Sequence, residues 1–327
     1  MQHATRRSRL IPGRLAPAVF VLALAASAAR ADDAMQWLSR AAQAARQLDY
    51  AGTIVYQIGP RVESSRITHL NDAGHEFSKL VNLDGPAREV VRSDGELRCY
   101  YPDAKLMRIE PGTFRNVFPS LLPEQQQSLS RYYDFRVLGE DRVGGRAVQV
   151  VVFDPKDGLR YGHRFWSDAK TGLLLKARVV NERGDGIEQF AFSDLTINAA
   201  IDRSMVASSW PTVPPDWEVL QNAAGDVVPQ DTGWVVTRVP PGFAKIMEGY
   251  RKLRGRRERV AHLVFSDGLV SISVFVEPLM ASSSPAGVLR QGGLNVYSLK
   301  QDDYLITVMG ETPGATVRQI AHSVMHR

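Results

Sequence analysis

The sequence predicts a mainly β protein of the α+β class, with a large antiparallel sheet and a smaller second body. After residue 50, short runs of β-branched and aromatic residues follow one another closely. Asp-Gly pairs such as Asp84-Gly85 and Asp157-Gly158 separate many of them, and Asp-Gly suits tight hairpins. The runs lie too close together for the crossover helices of a parallel sheet. We therefore expect a long antiparallel meander that is curled or partly closed.

Residues 1–31 have the pattern of a cleavable export signal. A basic start at Arg6, Arg7 and Arg9 precedes an apolar run over 15–29, and a small-x-small site ends at Ala31. This run is shorter than the roughly 20 residues that a membrane-spanning helix needs. We expect cleavage before Asp32 and a soluble protein outside the cytoplasm, without lipid attachment. An uncleaved anchor is the alternative, and the export route, Sec or twin-arginine, stays open.

The charge composition argues against nucleic-acid binding. Residues 1–31 hold five arginines and no acidic residue, so the remainder carries 35 basic and 35 acidic residues. A nucleic-acid binder normally carries a basic excess that neutralises phosphates. The hydrophobic content of 44% is typical of a globular protein. A single cysteine, Cys99, excludes an intramolecular disulfide and any multi-cysteine metal site.

The first body is predicted to span residues 32–210. It begins with an amphipathic helix over 34–48, and a short helical insertion with Pro123 at its start interrupts the strands at 119–133. The predicted strands lie at 53–58, 62–70, 75–83, 86–92, 96–101, 105–110, 135–138, 147–153, 160–168, 173–181 and 187–195.

A proline-rich linker over 211–230 and a second body over 231–327 follow. The second body is predicted to hold a helix over 243–252 and a C-terminal helix that begins near Pro313. Its predicted strands lie at 260–265, 269–276, 293–299 and 303–309.

No pattern of an enzyme emerges, so we predict no catalytic, metal or cofactor residue. The sequence lacks a G-x-S-x-G elbow, a phosphate-binding loop and an H-E-x-x-H motif. Cys99 lies in a strand-like stretch without an evident activating base, which favours a packed thiol. His69 and His75 lie on neighbouring strand segments, but ordinary sheet histidines are the favoured interpretation because no carboxylate or cysteine spacing supports a site.

The aromatic side chains of the meander suggest an acyl-chain cavity. A curled sheet with a helix across it leaves a concave apolar face that can hold a lipid chain. The candidate lining residues are Tyr56, Phe77, Tyr101 and Phe165. The alternative is a filled core, which composition alone favours.

A basic run in the second body suggests a partner-binding surface. Six of the nine residues over 251–259 are Arg or Lys, and an acidic protein segment or an anionic lipid headgroup would complement them. The candidate residues are Arg254, Arg256, Arg257 and Arg259. A solvated face is the usual interpretation of such a run. If residues 251–259 form only a solvated face, the interface lies elsewhere. The other candidate is the turn of Ser266, Asp267, Gly268 and Leu269.

Seven blocks in order resemble the RseB/MucB regulators of the envelope-stress sigma factor, and the resemblance extends over essentially the whole chain after the signal. The blocks are residues 50–56, 66–69, 83–92, 99–103, 241–243, 262–277 and 314–321. The resemblance implies a periplasmic protein without enzymatic activity. It also implies that the large domain is an open β half-barrel with helices, similar to the lipoprotein carriers LolA and LolB.

The resemblance further implies how such a protein acts. The small domain would bind the periplasmic part of a membrane-bound anti-sigma factor of the RseA/MucA type and shield it from the site-1 protease. The sigma factor would then stay inactive until acyl chains, lipopolysaccharide or lipoproteins release the regulator. The rival hypothesis is a lipid or lipoprotein carrier without a regulatory partner, which would have no need of a second domain. A secreted hydrolase is a third class, weakened by the absence of a nucleophile–base pattern.

Overall fold

The computed structural model describes residues 18–93, 95–111, 129–221, 227–252, 259–279 and 286–327. Two large sheets and a two-stranded ribbon dominate these residues. Three α-helices, α1 (Ala18–Gln47), α2 (Arg203–Val206) and α3 (Gly314–Ala321), and a 3-10 helix (Pro102–Ala104) accompany them. The predicted mainly β class with open sheets is confirmed.

The first sheet has twelve strands, and its order shows two meanders joined at the centre. Strands β1 to β6 step outward in one direction, whereas β7 to β11 begin at the far edge and return until β11 pairs with β1. The strands are β1 (Tyr50–Ile58), β2 (Arg61–Asp72), β3 (His75–Asn82), β4 (Glu89–Ser93), β5 (Glu96–Tyr101), β6 (Leu106–Pro111), β7 (Tyr133–Val143), β8 (Arg146–Pro155), β9 (Gly162–Asp168), β10 (Leu174–Val180), β11 (Gly186–Ile197) and β12 (Glu218–Gln221).

Helix α1 packs across the β7–β10 part of this sheet. Ala34, Leu38 and Ala41 of the helix are buried against Phe165 and Leu174. The helix begins at Ala18 rather than at residue 34, so the predicted cleavage point before Asp32 lies within it and stays a prediction. Most of the predicted insertion over 119–133, including Pro123, lies outside the described residues. No helix within the described ranges is both long and apolar enough to cross a membrane.

The second sheet has seven strands in the order β13-β15-β16-β17-β20-β19-β18. Val317 and Ile320 of α3 pack on one face of it, together with Trp234 and Val324 of a two-stranded ribbon. The strands of the sheet and the ribbon are β13 (Val228–Pro229), β14 (Trp234–Val236), β15 (Ala244–Lys252), β16 (Arg259–Ser266), β17 (Ser271–Pro278), β18 (Gly287–Gln291), β19 (Leu294–Gln301), β20 (Tyr304–Gly310) and β21 (Val324–His326).

The predicted helix over 243–252 is wrong, because this segment is strand β15. Ala, Lys, Met and Glu favour a helix, but intrinsic propensity is weak compared with tertiary pairing. β15 pairs with β16 along its length and with β13 at Tyr250 and Gly249. A side chain at Gly249 would collide with the Val228 carbonyl, so glycine allows the approach of β13.

The proline-rich connection also differs from a free linker over its first part. Trp210 and Trp217 contact each other with ring centroids 4.8 Å apart, and they pack with Tyr100 and Met107 of the first sheet. β12 then adds a parallel strand beside β6. The connection therefore covers one face and one edge of the first sheet before the chain reaches the second.

Candidate binding sites

Two of the four candidate acyl-cavity residues share one row of the first sheet. Tyr56 pairs with Phe190, Phe190 with Ala177, and Ala177 with Phe165. Directly paired residues point to the same face of a sheet, so Tyr56 and Phe165 lie on one face, three strands apart. The two side chains have different surroundings, since Phe165 is buried and Tyr56 is half-buried.

The Phe165 end of this row is filled. Phe165 packs edge to face on Phe153 at 5.0 Å between ring centroids, and Leu38 and Ala41 of α1 lie over both rings. At this end the filled-core alternative describes the packing.

Phe77 and Tyr101 lie on opposite faces. Phe77 pairs with Leu70, and both pack with Val206 of α2, while the Arg203 guanidinium lies 3.6 Å from the centre of the Phe77 ring. The register pairs residues of the Tyr56 face from strand to strand as far as Cys99 on β5. Tyr101 lies two residues further along β5 and therefore points to the same face. The structure thus assigns Tyr56, Tyr101 and Phe165 to one face and Phe77 to the other. Whether an acyl chain binds there stays a prediction.

Cys99 is buried in this sheet, as the sequence analysis expects of a packed thiol. It is 4% exposed, and burial raises the pKa of its thiol although Arg88 and Arg108 act in the opposite direction. Among the described residues, no group of three or more His, Cys, Asp or Glu side chains is arranged to hold a metal ion.

His69 and His75 occupy different positions in the ladder between β2 and β3. His69 pairs with Ser78 and stacks on Tyr50 with ring centroids 4.8 Å apart, whereas His75 pairs with Asp72. Burial lowers the pKa of His69, although its Nδ1 atom lies 2.8 Å from the Leu48 carbonyl oxygen.

Of the basic cluster, Arg254, Arg256 and Arg257 lie outside the described residues. Arg259 is exposed at the start of β16, where it pairs with Lys252 of β15. The proposed role of the cluster in partner binding stays a prediction.

The Ser266–Leu269 turn contacts the first sheet. Asp267 is 2% exposed, and its Oδ1 atom accepts hydrogen bonds from the backbone amides of Leu269 and Val270 at 2.9 and 3.0 Å. Its Oδ2 atom accepts from the Tyr133 hydroxyl at 2.9 Å and from Arg160 Nε at 3.0 Å. In this arrangement the carboxylate of Asp267 is enclosed by groups of the first body. A role of the Ser266–Leu269 turn in partner binding stays a prediction.

Ser266 and Gly268 stabilise the conformation of the turn itself. Ser266 Oγ donates to the Val270 carbonyl at 2.9 Å and accepts from the Gly268 amide at 3.1 Å. Gly268 has a φ of 99°, a left-handed conformation that glycine adopts readily. Leu269 packs against the cluster formed by α1 and the first sheet.

Neighbouring residues of the β8–β9 loop make further contacts between the two sheets. The Leu159 carbonyl accepts a hydrogen bond from Thr316 Oγ1 at 3.0 Å, and the Tyr161 hydroxyl accepts one from Asn295 Nδ2 at 3.0 Å. A third contact joins the Gly293 amide to Glu188 Oε2 at 3.0 Å.

Tyr56 connects the acyl-candidate row to this third contact. Its hydroxyl donates to Glu188 Oε1, while Glu188 Oε2 accepts from the second sheet. Burial and the bond to Glu188 raise the pKa of Tyr56 far above its ordinary value. The hydroxyl is thus held neutral beside the junction of the two sheets.

Comparison with known proteins decides the family. The MucB/RseB N-terminal domain matches residues 33–210, and the MucB/RseB C-terminal domain matches residues 228–325. The chain belongs to the MucB/RseB family. The resemblance stated from the sequence blocks is confirmed.

Relatives match nearly the whole chain. The sigma factor AlgU regulatory protein MucB of Pseudomonas aeruginosa is 33% identical over 92% of this chain and 93% of its own length. The sigma-E factor regulatory protein RseB of Salmonella typhimurium is 30% identical over 87% of this chain and 88% of its own. These relatives are regulatory proteins.

Solved MucB structures share the fold. A crystal structure of MucB in complex with MucA(peri) has a TM-score of 0.71 at 31% identity, covering 90% of this chain and 99% of that chain. The complex of Pseudomonas aeruginosa MucA and MucB gives 0.70 at 30% identity, and a crystal structure of MucB gives 0.63 at 30% identity.

Arg160 is the centre of the contact between the two MucB/RseB domains, and it was not predicted from the sequence. It contacts Pro241 of the block 241–243 and Asp267 of the block 262–277, and Asp267 is 107 positions away along the chain. One arginine after an Asp-Gly turn carries no periodic signal. The sequence offered one indication: the block 241–243 and residues 267–269 of the block 262–277 lie in turns rather than in strands.

Proposed function

We propose that this chain is a periplasmic regulator of an envelope-stress sigma factor. It binds the periplasmic part of a membrane-bound anti-sigma factor of the MucA/RseA type and so keeps the sigma factor inactive. The observation that carries the proposal is the match across both domains to MucB crystallised with MucA(peri), at a TM-score of 0.71 and with 99% of that chain covered.

Two independent features support this proposal. Two curated relatives with regulatory names match 87% and 92% of this chain, so neither domain is left without a counterpart. The second domain is also built as a body of its own, with a core of fifteen buried residues between its sheet and α3. A simple lipid carrier has no need of such a domain.

An export signal over residues 1–31 would bring the regulator into the compartment of its partner. The basic start, the apolar run and the small-x-small site over 1–31 support export, cleavage before Asp32 and a soluble periplasmic protein. Mass spectrometry of the secreted protein checks this step. A retained N-terminus or an acyl adduct would contradict it.

The regulator shields the anti-sigma factor from the site-1 protease, and an acyl-chain ligand releases it. A releasing ligand must bind more tightly to a state with low partner affinity, since equal affinity for both states shifts nothing. The Tyr56 and Tyr101 face of the first domain supports a ligand site because it carries a row of half-buried apolar residues, Ile67, Leu80 and Val90.

Titration calorimetry with the mature chain and the purified periplasmic domain of the anti-sigma factor from the same organism tests the proposal. We expect saturable 1:1 binding and slower cleavage of that domain by the site-1 protease. An absence of saturable binding, with both proteins folded, would refute partner recognition. Binding without protection would refute shielding alone.

A further inference from the structure

Arg160 is a fully buried cation shared by both domains. Its side chain is 0% exposed. From its own domain it pairs with the Asp157 carboxylate, and from the second domain it pairs with Asp267 at 3.0 Å and bonds the Pro241 carbonyl. A buried charge is tolerated when it is paired and its remaining donors are hydrogen-bonded. Arg160 meets this condition only while the two domains are in contact.

Aromatic rings from both domains surround the same guanidinium. Its central carbon lies 4.8 Å from the ring centre of Tyr132, 5.9 Å from that of Tyr133 and 5.0 Å from that of Phe243. Cations within about 6 Å of aromatic ring centres are attracted to the ring faces, more strongly when desolvated. Tyr132 and Tyr133 belong to the first domain and Phe243 to the second.

Gly242 allows this close approach. A Cβ atom at Gly242 would overlap the Tyr132 ring, and the residue has a φ of +88°, which side chains rarely adopt. The segment 241–243 therefore supplies three parts of one contact: a carbonyl acceptor, a gap for the Tyr132 ring and the Phe243 ring.

The contact is more specific than an ordinary contact between domains. Such interfaces are usually rather polar and permit relative motion. Here Leu159, Arg160 and Tyr161, three consecutive residues, each bond the second domain. Separation of the domains would break these hydrogen bonds, and Arg160 or Asp267 would be left unpaired wherever it stayed buried, which destabilises the protein.

Both domains of this chain together match solved MucB structures. The TM-scores are 0.71 and 0.70 for MucB with MucA and 0.63 for a further crystal structure of MucB, at 30–31% identity and 90% coverage of this chain in all three comparisons. The contact around Arg160 therefore occurs in a two-domain fold that resembles MucB crystallised with MucA(peri).

We propose that Arg160 is a positioning residue that holds the two domains in the arrangement that binds the anti-sigma factor. This inference rests on the proposed function for the identity of the partner. We call the contacts of Arg160 with Asp267 and Pro241 the clamp. If only molecules with an intact clamp bind the anti-sigma factor, loss of the clamp lowers the apparent affinity in proportion to the fraction of molecules that keep it. A releasing ligand would act by favouring the unclamped state.

The test uses the double variant Arg160→Met with Asp267→Asn in the full mature chain. Changing Arg160 and Asp267 together avoids leaving the buried Asp267 carboxylate unpaired, which would destabilise the protein. The other carboxylate partner, Asp157, is 28% exposed and can be hydrated. Arg98→Met is the matched control, because Arg98 forms an exposed pair with Glu96 inside the first domain. Small-angle scattering measures domain arrangement, and titration with the purified periplasmic domain of the anti-sigma factor measures affinity.

We expect the double variant to keep its secondary structure, to show a larger radius of gyration and to bind the partner about tenfold more weakly. Arg160→Lys retains the charge and should recover part of the affinity. The Arg98→Met control should match the unmodified chain in both measurements.

Unchanged scattering in the folded double variant would overturn the clamp without reference to any partner. Looser domains with unchanged affinity would overturn its role in binding. If the unmodified chain itself does not bind, the proposed function fails and the binding role fails with it, while scattering still decides the clamp.

A second pair of variants tests the proposal if the double variant does not fold. Gly242→Ala should loosen the same contact, because the methyl group meets the Tyr132 ring. Gly184→Ala is its control, since Gly184 has a similar φ of +83° but no atom within 4 Å of the added Cβ. Equal scattering and affinity for these two variants would overturn the proposal.

Discussion

The two halves of the first sheet bury their residues differently. In strands β7–β11, here called the α1 half, Val150, Val151, Val152 and Phe153 are four consecutive buried residues, so both faces are covered. In strands β1–β6, here called the connector half, burial alternates. On β4, for example, Val91 is buried and Val90 is only half-buried.

The difference in burial arises from the segments that pack on each half of the sheet. Helix α1 covers one face of the α1 half, and Val150 and Val152 on the other face belong to a second apolar cluster, which also includes Ala44 of α1. In the connector half, α2 and residues 210–217 cover the face of Phe77 and Tyr100. The opposite face retains a row of half-buried apolar residues that the register aligns: Ile67, Leu80 and Val90. A ligand-binding surface therefore fits the connector half better than the α1 half.

The largest contrast should appear when a buried ring is removed from each half. Phe153 is 0% exposed and packs edge to face with Phe135 and Phe165 at 4.7 and 5.0 Å. Phe153→Ala should lower the free energy of unfolding by about 3–5 kcal/mol. Phe77→Ala should cost less, because only two other buried residues belong to its cluster. Urea unfolding of the mature chain measures both, and an equal or larger loss for Phe77→Ala would break the comparison.

A pH experiment on His163 of β9 is expected to give the next largest effect. Burial lowers the pKa of His163 to about 4, although Asp267 acts in the opposite direction. Unfolded histidine takes up a proton near its ordinary value of about 6.5. The unfolded state therefore binds more protons between these values, and stability should fall as pH drops from 6.5 towards 4, by roughly 3 kcal/mol at most.

His163→Gln should remove this part of the pH dependence, which unfolding curves at pH 7, 5.5 and 4.5 would measure. The matched variant is His262→Gln in the second domain, where burial also lowers the histidine pKa to about 4. His262→Gln should remove a separate part of the pH dependence of stability, of similar size. If His163→Gln kept the full slope, the folded α1 half would not hold this ring neutral.

These contrasts also show what the sequence can predict. The eleven predicted strands of the first sheet all appear, because alternation and turn chemistry are local signals. β15 was missed because its residues favour a helix in isolation, and pairing with β16 overrides that preference. Arg160 could not be found, because its role depends on Asp267 and Pro241, which only the folded chain brings near it.

The candidate acyl residues were predicted only as a set. Alternation identifies which residues of one strand share a face, but the face that a helix covers depends on tertiary packing. Phe165 thus proved to lie under α1 and Phe77 under α2, which one sequence does not reveal.

Variants on the two faces of the connector half test whether an acyl chain binds there. Tyr101→Ser should weaken binding of a fluorescent fatty acid to the mature chain about tenfold, since each buried methylene contributes about 0.8 kcal/mol and the ring is lost. Phe77→Leu, on the covered face, should leave the affinity unchanged. Equal effects of both variants would indicate that affinity does not depend on the Tyr101 face, and no saturable binding would refute the site.

The smallest predicted effect concerns Glu89, which fixes the start of the connection to the connector half. Glu89 is 5% exposed and accepts hydrogen bonds from Ser208 Oγ at 2.7 Å and the Ser209 amide at 2.9 Å, with Lys79 Nζ 3.2 Å away. Burial alone would raise the pKa of this carboxyl, but these bonds outweigh it and lower the pKa below its ordinary value.

Because the folded pKa is lowered, the contribution of Glu89 is present above pH 4.5 and is lost as pH falls through the folded value. Glu89→Gln should therefore cost roughly 1 kcal/mol at pH 7 and less at pH 3, measured by urea unfolding. Asp216→Asn is the control, because its pair with Lys105 is exposed and such pairs contribute little. A deficit of equal size at both pH values would mean that the charge of Glu89 does not hold the connection, and coverage of this face would then depend on Trp210 and Trp217 alone.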